Sequence, residues 1–413
     1  MRFKKEMQLE KSILKDNETV EISGSKSISN RLLILNQLYD NLIVENLSTS
    51  QDTQLLQAAL ESSEEIIDVH HAGTAMRFLT SYFAIQEGKT TILTGSERMK
   101  QRPIKFLVDA LRDLGAEISY LENEGFPPLK ITGKKLEKNS VSIPARVSSQ
   151  FISSLMLIGA KLENGLKINL VGEITSRPYL EMTLKLLRTI GITTEWNDQT
   201  IEISSGDLSG KGSQTIKIHT ESDWSSASYY YSLAAIGRKS INLKSFRPYS
   251  LQGDSVIKEI YWTYFGVNTI SEGAESKISL LPESSFILPE KIEINMNDCP
   301  DIAQTLCVTA TALQIPFEIT GLSTLKVKET DRLVALKNEL FKIGCICDIT
   351  EDSIASVKFF EANDLIFIET YNDHRMAMSF APFCLIKPLE INNSGVVEKS
   401  YPDFWKDFKQ VLQ

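Results

Sequence analysis

The chain has 413 residues, 42% of them hydrophobic and 23% charged, with a formal net charge of −9. That length exceeds what one hydrophobic core organises, so two domains are expected, and the composition excludes a disordered chain. The acidic balance argues against a nucleic-acid surface. No run reaches the roughly 20 apolar residues of a membrane span, and Met1 to Leu14 lacks the apolar stretch of a signal peptide, so a cytoplasmic protein is expected.

In chain order, two series of helices alternate. Apolar segments rich in Ser, Ala and Met begin near Ser27, Thr74, Ser149, Ser225, Asp301 and His374. Amphipathic segments run over Asp52 to Leu60, Phe106 to Gly115, Leu180 to Gly191, Val256 to Gly266, Leu333 to Gly344 and Tyr401 to Leu412. Short β-like runs lie between them, among them Leu166 to Leu170, Ser240 to Leu243 and Phe317 to Thr320. Both series repeat at roughly 75 residues, with a shortened first unit, which predicts six units of two helices and several strands, three to a domain. The glycines that end four of the amphipathic segments suit a left-handed helix terminus. The five cysteines, Cys299, Cys307, Cys345, Cys347 and Cys384, are odd in number and contain no C-x-x-C pair, which argues against a disulfide framework or structural zinc.

Polar and charged residues crowd the starts of the apolar helices, where unpaired backbone N–H groups can hold an anion. The first start is Gly24-Ser-Lys26-Ser27-Ile-Ser-Asn-Arg31, whose two cations are spaced to flank one anion. The second is His71-Ala-Gly73-Thr74-Ala-Met-Arg77, where Gly73 lets a ligand approach the backbone. A basic loop, Arg98 to Pro103, follows. The third start, Ser148-Ser149-Gln150, suits a neutral polyol. In the second half, Asp301 either caps a helix or acts as a base. Lys326 to Arg332 packs five charges into seven residues, Asp373-His374-Arg375 precedes another apolar helix, and Lys399 adds a late cation. Each cluster alone also suits a capped helix or a solvated surface. Together they describe a pair of ligands with several anionic groups, held by Lys26, Arg31, Arg102, Arg332, Arg375 and Lys399, with Asp301 and Glu329 handling protons.

These segments together resemble the 5-enolpyruvylshikimate-3-phosphate synthase family. The pieces are G-S-K-S-I-S-N-R, A-G-T-A-M-R, R-M-K-Q-R-P-I, S-S-Q-F, S-R-P-Y, D-W-S-S-A, P-D-I-A, K-V-K-E-T-D-R-L, N-D-H-R-M-A-M and K-S-Y-P-D-F, in family order from residue 24 to 404. The resemblance implies an α/β fold of two similar domains, each of three βαβαββ units, with the active site in the cleft between them. One domain would comprise residues 1–24 and 221–413, the other residues 25–220. It implies transfer of the enolpyruvyl group of phosphoenolpyruvate to the 5-hydroxyl of shikimate 3-phosphate, by a monomer without metal or organic cofactor. Lys26, Ser27, Arg31, Ser148, Ser149, Gln150, Ser176, Asp301 and Lys328 are implied contacts to shikimate 3-phosphate. Lys26, Gly73, Arg102, Gln150, Arg332, Arg375 and Lys399 are implied contacts to phosphoenolpyruvate, and Asp301, Glu329, Lys26 and His374 the implied catalytic groups. The chain departs from the family pattern at His71, Phe78 and Thr324, where asparagine, proline and asparagine are usual. A sister family acting on UDP-N-acetylglucosamine generally carries a cysteine in the loop matching Arg98 to Pro103, and this chain has none before Cys299.

Overall fold

A computed structural model describes residues 6–39, 41–146, 148–206, 215–272 and 276–413; the first five residues of the N-terminal segment lie outside them. The chain divides into two compact units, an inner one of Ser25–Thr220 and an outer one of Met1–Gly24 with Glu221–Gln413.

The inner unit holds helices α1 (Lys26–Leu38), α2 (Gln51–Glu61), α3 (Gly73–Ala84), α4 (Glu97–Lys100), α5 (Lys105–Asp113), α6 (Ser149–Gly159) and α7 (Arg177–Thr189). The outer unit holds α8 (Trp224–Gly237), α9 (Ile257–Phe265), α10 (Ala303–Ala312), α11 (Arg332–Lys342), α12 (His374–Phe380) and α13 (Phe404–Gln410). Four four-stranded sheets share one topology: a parallel pair joined to an antiparallel hairpin. In one, Ile66–Asp68 runs parallel to Thr90–Thr94, which pairs antiparallel with Leu129–Thr132, which pairs antiparallel with Glu117–Tyr120. This is the expected βαβαββ unit, because parallel strands need a helical crossover whereas the last two can turn directly. The strands next to the two crossings between units each pair within their own unit. Glu18–Glu21, which precedes α1, pairs with Ile241–Lys244 of the outer unit, and Ile216–His219, which precedes α8, pairs with Leu42–Glu45 of the inner one.

Burial explains the two helix series. α3, α6, α8 and α10 are buried nearly all round, including Trp224, Tyr229, Tyr230 and Tyr231 on α8, as expected of helices without a charged face. Their small hydroxyls bond helix to helix. Ser228 and Thr305 hydroxyls lie 3.1 Å apart, Thr305 and Ser379 3.1 Å, and the Thr309 hydroxyl donates to Ser232 at 2.7 Å. The two layers join α8 to α10 in the same order along both helices, and Arg375 at the start of α12 meets Asp301 and Ser225, so the three helices run parallel with their N-termini together. In the inner unit the Ser154 hydroxyl donates to Ser81 and to the Arg77 carbonyl, tying α6 to α3 in the same way. The amphipathic helices cover the outside and end at Gly115, Gly191, Gly266 and Gly344, with φ of 109°, 94°, 65° and 96°. Among the described residues no helix is long and apolar enough to cross a membrane.

At Gly344 an added Cβ would lie 2.3 Å from the Phe360 carbonyl oxygen, at a φ that side chains avoid. Gly344→Ala is expected to destabilise the fold by at least about 2 kcal/mol, read as a lower denaturation midpoint at unchanged m-value.

Candidate active site

In the inner unit the polar groups stand at the starts of α1, α3, α6 and α7. Lys26, the first residue of α1, has its Nζ 3.5 Å from an Asp52 carboxylate oxygen on α2. Ser27 follows it, half-buried. Arg31, one turn later and buried, is turned into the helix packing rather than standing beside Lys26 as a second open cation. Its Nε donates to Thr183 at 2.7 Å and its Nη2 to Ser153 at 3.1 Å and to the Tyr179 carbonyl at 3.3 Å, while Phe78 lies against it with the ring centroid 5.4 Å away. Burial lowers the Arg31 pKa to about 10, still far above neutrality, so the charge is kept. Arg31 therefore links α1 to α6 and α7. Ser148 caps α6 by accepting from the Gln150 N–H at 3.3 Å, beside Ser149, and the Gln150 side-chain amide donates to Thr74 on α3 at 3.1 Å. Ser176 stands at the N-cap position of α7 with a left-handed backbone, φ 53°, and no side-chain cap bond.

Gly73 opens α3, and Arg102 lies over it so closely that an added Cβ would meet Nη1 at 2.5 Å. Arg102 is 8% exposed, and its Nε has no hydrogen-bond partner among the described residues. A buried guanidinium donor left without an acceptor is costly, and an anionic ligand would supply one. His71 Nε2 lies 3.1 Å from the Gln51 Oε1, which accepts when that nitrogen carries the proton, so the residue that departs from the family pattern joins α2 to the loop before Gly73.

The outer unit gathers its residues around Arg332, which is 2% exposed. Its Nη1 donates to Asp301 at 2.9 Å, Nη2 to Glu329 at 2.8 Å and Nε to Asp373 at 2.6 Å. Lys399 Nζ lies 2.7 Å from the other Glu329 oxygen, and Lys328 Nζ 3.5 Å from Asp301. Arg375 donates to the Asp301 carbonyl at 2.8 Å and to its carboxylate at 3.2 Å. Asp301 sits in the 3-10 turn Pro300–Ile302 and forms no cap bond, which removes the capping alternative. Burial pushes its pKa up, but Arg375, Lys328 and Arg332 outweigh that and hold it well below the usual carboxylate range. Burial lowers the Lys328 pKa, opposed by Asp301. Arg332 is raised, as Asp373, Glu329 and Asp301 overcome its burial. Asp373 caps α12 by accepting from the Arg375 N–H at 2.9 Å, and His374 Nδ1 lies 3.6 Å from it. The sequence had placed Asp373 only as an acid in a row; the structure makes it the anchor of Arg332.

Two partners escaped the sequence reading. Asp254, in the turn Gly253–Val256, accepts from the Ser225 hydroxyl at the start of α8, and Ser225 in turn lies 3.4 Å from Arg375. Asp52 faces Lys26. Neither carries a local pattern that distinguishes it from an ordinary surface acid.

The sequence profile of EPSP synthase (3-phosphoshikimate 1-carboxyvinyltransferase) matches residues 54–408. A 3-phosphoshikimate 1-carboxyvinyltransferase of Bacteroides fragilis is 44% identical over 398 residues, covering 95% of this chain and 94% of its own length. One of Haemophilus influenzae is 35% identical over 439 residues, covering 95% and 96%. The EPSP synthase structure from Acinetobacter baumannii shares the fold at a TM-score of 0.72 with 22% identity, covering 99% of both chains.

Burial raises the Asp254 carboxyl to about 6. A carboxyl that titrates higher folded than unfolded opposes folding when ionised, so its penalty is complete above about pH 6 and fades as the pH falls toward about 4. Asp254→Asn is expected to stabilise the protein at pH 8 by on the order of 2 kcal/mol and to change little at pH 4, checked by paired denaturant titrations.

Proposed function

We infer the roles of the residues from one premise: the chain belongs to the EPSP synthase (3-phosphoshikimate 1-carboxyvinyltransferase) family. It transfers the enolpyruvyl group of phosphoenolpyruvate to the 5-hydroxyl of shikimate 3-phosphate and releases phosphate, a step of the shikimate pathway to chorismate and the aromatic amino acids.

The observation that carries the assignment of roles is the Arg332 hub, in which one guanidinium meets Asp301, Glu329 and Asp373 while Lys328, Arg375 and Lys399 stand at its rim. The reaction adds the 5-hydroxyl to C2 and a proton to C3, then expels phosphate as the C3 proton leaves. It therefore needs an acid and a base that exchange roles, and cations for the departing phosphate. Asp301, held ionised by its cations, accepts the hydroxyl proton. Glu329, bridging Arg332 and Lys399, is placed to serve C3, with Lys26 and His374 as the further proton handlers. Arg332, Arg375, Lys399, Lys26 and Gln150, with Arg102 over Gly73, receive phosphoenolpyruvate, and the unanswered Nε of Arg102 supports that reading. Lys26, Ser27, Arg31, Ser148, Ser149, Gln150, Ser176, Asp301 and Lys328 receive shikimate 3-phosphate. For Arg31 the contact is limited to what its internal bonds leave over, and its larger part is to hold α6 and α7 in place. That one chain carries every named residue supports a monomer, and the phosphorylated substrates support a cytoplasmic enzyme.

The test is phosphate release from phosphoenolpyruvate with shikimate 3-phosphate or UDP-N-acetylglucosamine as acceptor. Release with the first alone is expected; release with neither overturns the reading. Asp301→Asn is expected to lower kcat by on the order of 10²- to 10⁴-fold with the fold retained, and near-normal turnover would remove Asp301 from the mechanism. Gly73→Ala, which must displace Arg102, is expected to raise KM for phosphoenolpyruvate by roughly tenfold and leave KM for shikimate 3-phosphate little changed, checked by steady-state kinetics with each substrate varied.

A further inference from the structure

We propose that Glu339 is a positioning residue for this reaction, whose buried carboxylate clamps the left-handed corner Tyr371–Asn372 and so sets Asp373, Arg332 and Arg375 in register. The inference rests on the reaction assigned above.

At the corner the backbone takes left-handed angles at two successive residues. Tyr371 and Asn372 are consecutive, with φ of 52° and 56°. Asparagine visits this region readily, but a tyrosine pays a steric penalty there. Such a conformation persists only where its surroundings over-determine it. Three contacts do so. The Asp373 N–H donates to the Thr370 carbonyl at 2.8 Å, and the Asn393 side-chain amide donates to Asn372 at 2.8 Å. The third is Glu339, which is 0% exposed. One of its oxygens accepts from the Tyr371 hydroxyl at 2.8 Å and the other from the Glu369 N–H at 3.0 Å, so a single carboxylate grips both the strand end and the corner. Lys342 Nζ, 2.7 Å away, balances its charge. Burial and then Glu339 itself push the Tyr371 hydroxyl up to about 12, so it remains a donor throughout the working range.

The corner delivers the start of α12. Immediately after it, Asp373 accepts from Arg332 Nε at 2.6 Å and from the Arg375 N–H at 2.9 Å. Arg332 and Glu339 lie seven residues apart on α11, hence on one face of the helix. That face holds the entry to α12 at two points: Arg332 on Asp373, and Glu339 on Tyr371 and Glu369. With one grip released, the corner relaxes toward ordinary backbone angles and the carboxylate that aims Arg332 moves with it. Glu339 is 0% exposed, so its effect on the reaction passes through the corner and Arg332. A buried carboxylate with hydrogen-bond partners on three sides could also serve stability alone, so the test must separate positioning from folding.

The experiment uses the full chain with Tyr371→Phe, which deletes one hydroxyl, and Glu339→Gln, which keeps the shape. Thermal melting is run beside steady-state kinetics with each substrate varied. The expected result is a retained cooperative transition, KM for phosphoenolpyruvate raised and kcat/KM for it reduced by roughly tenfold to a hundredfold, with KM for shikimate 3-phosphate within about twofold of wild type. Wild-type constants in Tyr371→Phe, equal changes in both KM values, or activity that falls only in step with the folded fraction would overturn the proposal. Should Glu339→Gln unfold, Tyr371→Phe decides alone. Absence of phosphate release by the wild type would instead sink the reaction on which the proposal rests.

Discussion

Everything in the outer unit's site depends on three helices lying parallel and fully buried with their N-termini together. Parallel packing aligns helix dipoles unfavourably and brings unpaired N–H groups to one end. The packing is possible because the contacting positions are small and can bond to one another, as Ser228, Thr305 and Ser379 do in one layer and Ser232 and Thr309 in the next. The end of the bundle is then short of negative charge. Carboxylates gather there, Asp301 just before α10 and Asp373 just before α12.

Arg332 converts that end into a site. A buried ion pair is weak evidence for stability, because desolvation offsets much of the attraction. Its use here is geometric: a planar guanidinium with fixed donor directions holds Asp301, Glu329 and Asp373, which reach it from three separate stretches of chain. Arg375, Lys328 and Arg332 itself keep Asp301 ionised, while Lys399 pairs with Glu329. In the inner unit Arg31 plays the corresponding structural part, but with neutral partners, Thr183, Ser153 and the Tyr179 carbonyl. It fixes three helices through those neutral partners alone. Arg102 contrasts with both: it lies against Gly73, and its Nε has no hydrogen-bond partner among the described residues.

Much of this was legible in the residues because it depends on local rules. Of the six units expected, four appear as sheets of one topology, while the other two sheets have two and three strands; the four glycines foreseen at helix ends all have positive φ, since glycine there is dictated by backbone sterics alone. The clustering of Lys26, Gly73, Gln150, Asp301, Arg332 and Arg375 at helix starts was visible for the same reason: a helix terminus is a local feature with its own chemistry. Arg31 shows the limit. Its spacing from Lys26 suggested a shared anion, whereas its side chain bonds to residues more than a hundred positions away. Asp254 and Asp52 show it again, for an acid facing a distant partner looks in the sequence like any other acid.

The sequence by itself determined the fold class, the repeat, the family and the short list of chemical groups, because periodicity, capping and motif order are properties of neighbouring residues. Tertiary structure alone decided which cation meets which carboxylate, that Asp301 is gripped rather than capping, that Asp373 anchors Arg332, and that Glu339 holds the corner before it. Those outcomes depend on side chains brought together by packing across tens to hundreds of residues, where burial removes water and lets a single hydrogen bond or charge set the state of its partner.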